Sequence, residues 1–126
     1  MSKGGSNIVA VGIVVTLQVF SGRPDPQWRL NEADADDFLR RVAAAPSVAA
    51  SVPAPEGMGY RGFRIDVESE PPQTYQVRTG RIHSDAATRD DTGRLLERWL
   101  LDTGRDTLDA GLSAYVEGEI GKARGK

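Results

Sequence analysis

The stretch "NIVAVGIVVTLQVF", residues 7–20, is a long apolar run whose pattern decides what the rest of the chain can build. In an extended strand, one face of this run is apolar throughout and carries Val9, Val11, Ile13, Val15, Leu17 and Val19. The other face is apolar only as far as Val14, because Thr16 and Gln18 follow. The pattern predicts a strand that is covered on both faces early and on one face later.

The next periodic segment, "LNEADADDFLRRVAAAP" at residues 30–46, predicts a helix. Asn31 suits the N-cap, acidic residues follow in the first turn, and Phe38, Leu39 and Val42 form an apolar stripe. The segment after it, "PSVAASVPAPEGMG", has three prolines and no period. It is longer than a usual connection, so we expect residues 44–57 to be a mobile segment or a covering flap.

Two alternating runs, "YRGFRIDV" at residues 60–67 and "TYQVRTGRI" at residues 74–82, predict a β-hairpin across "ESEPPQ". Phe63, Ile65 and Val67 share one face of the first run. In the second run the alternation changes phase at Gly80, since Ile82 falls on the polar side. A β-bulge at Gly80 is the expected explanation.

Two further helices are predicted after the hairpin. "RDDTGRLLERWLLDTG", residues 89–104, has Asp90 or Asp91 at its start, Gly104 after its end and an apolar stripe of Leu95, Leu96, Trp99 and Leu100. The last helix carries Leu108, Leu112, Tyr115 and Val116 at helical spacing.

This order of elements, β-α-β-β-α-α, predicts an α+β fold. We expect a two-layer sandwich in which helices cover one face of a small mixed β-sheet. The chain has 126 residues, which is enough for one domain. The expected organisation is a flexible tail at residues 1–7, a single domain at residues 8–118 and a second flexible tail at residues 119–126.

Composition excludes several classes of function. The net charge of −2 argues against a nucleic-acid partner. The absence of cysteine excludes disulfides, thiolate metal sites and a cysteine nucleophile, and no spacing predicts a metal or a cofactor. The run at residues 8–15 lacks a cleavage site, and polar Thr16 and Gln18 interrupt it, so we expect neither secretion nor membrane insertion but a cytoplasmic protein.

The stretch "VFSGRPDPQW", residues 19–28, predicts a stiff loop after the first strand. Gly22 permits a turn, and two prolines hold Arg23 and Asp25 extended, so the loop is ordered before anything binds. We expect Trp28 to anchor the far end in the core, with its indole N–H on a polar partner. One interpretation is a rigid platform that presents Ser21, Gly22, Arg23, Asp25 and Trp28 to a ligand. The other is an ordinary strand-to-helix connection.

Two more groups are candidates for function. The polar face of the hairpin carries Arg64, Asp66, Gln76 and Arg78, which either stabilise the hairpin weakly or, if the face is open, bind a partner. His83 is the only histidine, and beside Asp25 or Asp85 it is a candidate general base. A surface residue without a role is the simpler interpretation of a lone histidine.

Three pieces, "VFSGRPDPQW", "GYRGFRI" and "LLERWLL", resemble a family of small uncharacterised proteins with a Phe-Ser-Gly-Arg-Pro-x-Pro-x-Trp signature after the first strand. The resemblance covers roughly residues 14–103 and implies no activity. It makes the following the signature positions here: Ser21, Gly22, Arg23, Pro24, Pro26, Trp28, Tyr60, Gly62 and Phe63. Asp25 departs from the expected asparagine, and it accepts hydrogen bonds where an amide also donates them.

The sequence favours a non-catalytic binding or assembly module that presents the rigid "SGRPDPQW" loop to a protein partner. The alternative is a small enzyme or ligand-binding protein in which Arg23 holds a small anion and Asp25 or His83 transfers a proton. An enzyme predicts a closed pocket where these three residues meet. A homodimer is also expected, because residues 8–15 are apolar on both faces and a small sheet has exposed edges. A two-fold interface would cover the apolar face or pair two first strands edge to edge. The competing explanation is burial of that face under the C-terminal segment around Leu112 and Tyr115.

Overall fold

The computed structural model of the chain describes residues 12–20, 24–48, 59–84 and 87–124, with side chains as far as residue 121. Seven strands and three α-helices occur in these ranges: β1 (Gly12–Leu17), β2 (Gln27–Arg29), α1 (Glu32–Ala44), β3 (Ser47–Val48), β4 (Phe63–Glu68), β5 (Gln73–Arg78), β6 (Arg81–His83), β7 (Thr88–Asp90), α2 (Leu95–Thr103) and α3 (Ala110–Arg124). The predicted α+β class is confirmed.

The seven strands form one sheet in the order β2-β1-β4-β5-β6-β7-β3. Every neighbouring pair is antiparallel, so the expectation of a mixed sheet is wrong. A parallel pair needs a crossover that brings the chain back beside the strand it left, in the same direction. Here α1 instead carries the chain from β2 at one edge to β3 at the other, and β4 to β7 follow one another through reversing connections.

Four of these strands have only two or three residues. Of these, β2, β3 and β7 were absent from the predicted order of elements, and β6 was predicted as a continuation of β5. The phase change at Gly80 has a different cause from the expected β-bulge. Thr79 and Gly80 both have positive φ, 53° and 75°, and Arg78 pairs directly with Arg81 across them. This is the geometry of a two-residue hairpin turn, in which glycine is favoured because both central residues are left-handed.

One face of the sheet packs against all three helices. Ile13, Val15 and Leu17 of β1 lie in register with the buried residues of β4, and they share one hydrophobic core with the helices. The helices contribute Ala35, Phe38, Val42, Leu96, Leu100, Leu101, Val116 and Ile120 to this core. Side chains alternate along a strand, so the even-numbered residues of β1 and β4 point away from the helices. We call this second side the open face.

The helices keep most of their predicted features. Asn31 caps α1 by accepting a hydrogen bond from the N–H of Asp34 at 2.8 Å. In α2 the buried stripe is shifted from the predicted one, because Leu95 is exposed and Leu101 is buried. A 3₁₀ turn at Thr92–Arg94 precedes α2, and Leu101 rather than Leu95 belongs to the hydrophobic core.

The boundaries of the domain also differ from expectation at the C-terminal end. Residues 119–124, predicted as part of a tail, continue α3, and Ile120 is fully buried in the core. The expected mobile segment falls mostly on residues 49–58, which lie outside the described residues. Ahead of them, Ser47–Val48 pair with β7 as an edge strand.

Candidate functional site

The loop after β1 is held at its base by Asp25. One carboxylate oxygen of Asp25 accepts the backbone N–H of Val19 at 3.0 Å and that of Phe20 at 2.7 Å. The aspartate therefore ties the chain that leaves the loop to the chain that enters it. Both contacts use an acceptor, so this role needs no amide donor at position 25. Ser21, Gly22 and Arg23 lie outside the described residues.

Trp28 anchors the far side of the loop, as predicted. Its side chain is buried, and its indole N–H donates to the hydroxyl of Thr103 at 2.9 Å. The ring meets Phe63 edge-on, with 6.4 Å between centroids. Gly104 lies against the ring so closely that an added Cβ would be 2.4 Å from a ring atom. The loop thus joins the sheet to the C-terminal end of α2.

The loop leaves the same end of the sheet as the turn between β5 and β6. Gln18 donates its N–H to the carbonyl of Gly62 at 2.9 Å, which places the end of β1 beside the start of β4. The register of β4 with β5 then puts Arg78, the last residue of β5, at this end too. The described ends of the loop and the β5–β6 turn therefore lie at the same rim of the open face.

Charges on the part of the open face formed by β2, β1 and β4 are balanced by ion pairs. Arg64 lies 3.2 Å from the carboxylate of Asp66, which also accepts the hydroxyl of Thr74 at 3.0 Å. Arg29 and Glu68 pair at 3.0 Å, with both side chains more than half exposed. Exposed pairs of this kind stabilise a fold by about 0–1 kcal/mol. The contacts of Arg64 therefore fit the first of its two predicted roles, weak stabilisation of the hairpin.

The part formed by β5, β6 and β7 carries an unbalanced positive charge. Arg78 and Arg81 are directly opposite each other in the ladder. Arg81 pairs with Asp90 at 2.7 Å, whereas the guanidinium of Arg78 makes no ion pair or hydrogen bond with any residue that the structure describes. Its Nε is shielded from solvent without a partner, and burial lowers the pKa of its guanidinium. Like charges in directly opposed positions oppose pairing of the strands.

His83 lies beside this pair of arginines. It pairs with Gln76 across the β5–β6 ladder, while Arg78 and Arg81 are the next open-face pair along it. Burial and the positive charges of Arg78 and Arg81 lower the pKa of His83, so the imidazole is neutral at pH 7. Its Nδ1 is 3.5 Å from the hydroxyl of Thr88, and its Nε2 has no partner among the described residues. We call Arg78, Arg81 and His83 the cationic cluster.

Gly62 shapes the space around this cluster. Its φ of +107° is one that residues with side chains rarely adopt, and an added Cβ would lie 2.6 Å from the Cβ of Arg78. The bare backbone at Gly62 thus leaves room for Arg78 on the neighbouring strand. On the same face, the side-chain amide of Gln76 in β5 donates to the amide oxygen of Gln18, the residue that follows β1.

The structure separates the two proposed proton-transfer residues. The contacts of Asp25 are with the extension of β1, and His83 is on β6, which lies three strand spacings or about 14 Å away. Two grooves of about 270 and 300 Å³ lie elsewhere, one beside Pro46 and Leu95 and one along α3, and neither is lined by Asp25 or His83.

Sequence reasoning missed a buried polar network beneath the β5–β6 turn. Glu97 is fully buried on α2 and accepts two hydrogen bonds from the guanidinium of Arg94, both at 2.7 Å. It also accepts the hydroxyl of Tyr60 and, at 3.2 Å, the N–H of Gly80. Burial, followed by the charge of Glu97, raises the pKa of Tyr60 far above its ordinary value.

This network holds the β5–β6 turn, which Arg78 and Arg81 of the cationic cluster flank. Glu97 holds the N–H of Gly80, and the carbonyl of Gly80 accepts the N–H of Asp91 at 2.8 Å. Asp91 in turn accepts the N–H groups of Leu96 and Glu97 and so caps α2. The only sequence signal was the acidic residue within the apolar stretch "LLERWLL", which an exposed helix position explained equally well.

Comparison of the chain with protein-family models, curated proteins and solved structures gives no match. The signature resemblance therefore remains an expectation. Among the described residues, no group of three or more acidic or histidine side chains is arranged to hold a metal ion. Within the same ranges, no helix is long and apolar enough to cross a membrane.

Proposed function

We propose that this protein is a non-catalytic binding module that receives an anionic region of a protein partner on the open face of its sheet. The observation that carries the proposal is the unbalanced charge of Arg78. It lies opposite Arg81, partly desolvated and without an acidic partner among the described residues. A partner carboxylate or phosphate would supply the missing counter-charge and hydrogen-bond acceptors.

The position of the described loop residues supports partner binding at the same surface. The base of the loop is fixed by Asp25 and Trp28, and it emerges at the rim where Arg78 lies. Residues held in this way lose little conformational entropy when a partner binds. The sequence suggested Arg23 of the same loop as an anion-holding residue, and Arg23 lies outside the described residues.

The enzymatic alternative gains no support from the geometry. Asp25 is engaged by two backbone N–H groups, and His83 lies several strands away from it. A general base and an anion-holding arginine must reach the same reacting atoms. We therefore retain the binding module as the proposed function.

A second copy of the chain remains a candidate partner. The described part of β1 has β2 on one side and β4 on the other, so the predicted edge-to-edge pairing of two first strands does not apply to residues 12–17. A face-to-face dimer is still compatible with the half-buried Val14 on the open face. We include it as an outcome of the experiment below.

Photo-crosslinking in cells of the native host tests the proposal. A photoreactive residue replaces Thr74 on the open face or, as the control, Ala43 on the exposed side of α1; both positions are exposed. We expect Thr74 to capture a protein that Ala43 does not, and Arg78→Gln to abolish that capture while Arg29→Gln does not. Capture of a second copy identifies the dimer. Equal capture from both positions, or capture insensitive to Arg78→Gln, contradicts the proposal.

A further inference from the structure

We infer that the cationic cluster binds a doubly charged oxyanion, such as a phosphate monoester on the partner, and that binding is coupled to protonation of His83. The inference rests on the proposed function, because it names the chemistry that the open face recognises.

At neutral pH the cluster supplies one positive charge that no described acidic residue compensates. Asp90 neutralises Arg81 through the contact at 2.7 Å, which leaves the guanidinium of Arg78. Protonation of His83 would add a second positive charge at the adjacent pair of the β5–β6 ladder. The cluster therefore matches a monoanion when His83 is neutral and a dianion when His83 is charged.

The surroundings of His83 make this proton responsive to a bound anion. Gln76 and Arg78 face it from β5, Arg81 lies beside it on β6, and Thr88 and Asp90 face it from β7. Arg64 is in the same row on β4, where Asp66 neutralises it. Asp85 lies outside the described residues. The charges that disfavour the imidazolium are thus those of Arg78 and Arg81, and a bound anion opposes both.

Coupling of this kind is reciprocal. If protonation of His83 strengthens anion binding, then the bound anion must raise the pKa of His83 by the corresponding amount. A single opposite charge within about 4–6 Å changes such an equilibrium by at least about tenfold. We therefore expect a dianion to bind about tenfold more tightly to the protein with charged His83 than to the protein with neutral His83.

The experiment is an NMR titration of the only histidine in the chain, whose imidazole resonance needs no assignment by mutation. An untagged chain is titrated from pH 5 to pH 8 in sodium sulfate, sodium acetate or sodium chloride at equal ionic strength. Sulfate is the probe because it carries two charges throughout this range. Chloride reports the effect of screening alone, and acetate reports that of a monoanion.

We expect the pKa of His83 to be higher in sulfate than in chloride, with acetate close to chloride. The sulfate effect should persist in Arg64→Gln, whose arginine has its own acidic partner, and vanish in Arg78→Gln. Equal values in sulfate and chloride overturn the inference, as does an acetate effect as large as that of sulfate or a sulfate effect that survives Arg78→Gln. The wild-type comparison is decisive even if a variant does not fold.

This experiment can fail separately from the proposed function. If sulfate has no specific effect but Arg78→Gln still abolishes crosslinking from Thr74, the open face binds a partner that lacks a dianionic group. If sulfate behaves as expected but crosslinking does not depend on Arg78, the cluster binds a free oxyanion and the proposed protein-binding surface is wrong.

Discussion

Arg78 and Arg81 are directly opposite each other across a two-residue turn, and of the two only Arg81 has an acidic partner among the described residues. Most other surface charges on the open face are paired, as Arg64 is with Asp66 and Arg29 with Glu68. A cation placed against another cation contributes little to folding. Under the proposed function, the counter-charge comes from the partner.

The first prediction concerns the stability of Arg78→Gln. The variant removes a like-charge contact and a partly desolvated guanidinium, so the free energy of unfolding should stay within about 0.5 kcal/mol of wild type or rise slightly. Urea denaturation measures it. Arg81→Gln is the comparison, since it leaves Asp90 without its ion-pair partner. A loss above about 1 kcal/mol in Arg78→Gln would show that Arg78 is needed for the fold.

The second prediction concerns the anchor of the loop. Trp28→Ala should lower the free energy of unfolding by about 3–5 kcal/mol, because it removes a buried ring that packs on Phe63 and Gly104. Trp99→Ala is the control and should cost less, since Trp99 is only partly buried. A loss below about 0.5 kcal/mol in Trp28→Ala, typical of surface substitutions, would contradict the anchoring role.

The third prediction concerns the buried network under the turn. Glu97→Gln leaves the guanidinium of Arg94 without its ion-pair partner in a buried position, so unfolding should become easier by about 3–5 kcal/mol. Glu117→Gln is the matched control, because Glu117 is exposed and pairs with Arg105 at the surface. If the two variants lost similar free energy, the network would not be what holds the β5–β6 turn.

Much of the fold follows from local patterns in the sequence. The strand at Gly12–Leu17, the cap of α1 at Asn31 and the hairpin of β4 and β5 all carry strong local signals. The strands β2, β3, β6 and β7 are too short to show a period of two. The register that places Arg78 directly opposite Arg81 depends on the turn at Thr79 and Gly80. The sequence pattern predicted a β-bulge there, within one longer strand.

The candidate site was predictable only in part. Trp28 and Asp25 were found because prolines and an aromatic mark the loop, and Arg64 and Arg78 because they alternate with apolar residues. Whether each arginine has an ion-pair partner depends on side-chain contacts, such as that of Arg64 with Asp66, and on the strand order. The sequence alone gives neither the contacts nor the order. Glu97 was missed because burial of a carboxylate depends on partners, here Arg94 and Tyr60, that tertiary packing brings together.

The fourth prediction concerns the pH dependence of stability. Because the pKa of His83 is lower in the folded protein than its ordinary value, the unfolded chain binds more protons just below pH 6.5. This residue's contribution to stability should therefore fall as pH decreases from about 6.5 through the lowered pKa. Unfolding measured from pH 5 to pH 8 should show this decrease in wild type relative to His83→Gln. If the difference in free energy of unfolding between wild type and His83→Gln did not change with pH, the lowered pKa of His83 would be contradicted.

The most direct test of the central claim, that the open face binds an anion at Arg78, is a map of backbone amide shifts in ¹⁵N-labelled protein. Sulfate is added against chloride at equal ionic strength, which isolates specific binding from screening. The account predicts that the largest shift changes fall on Arg78, Arg81 and His83 and disappear in Arg78→Gln. Changes centred on the helices, or no difference between sulfate and chloride, would contradict it.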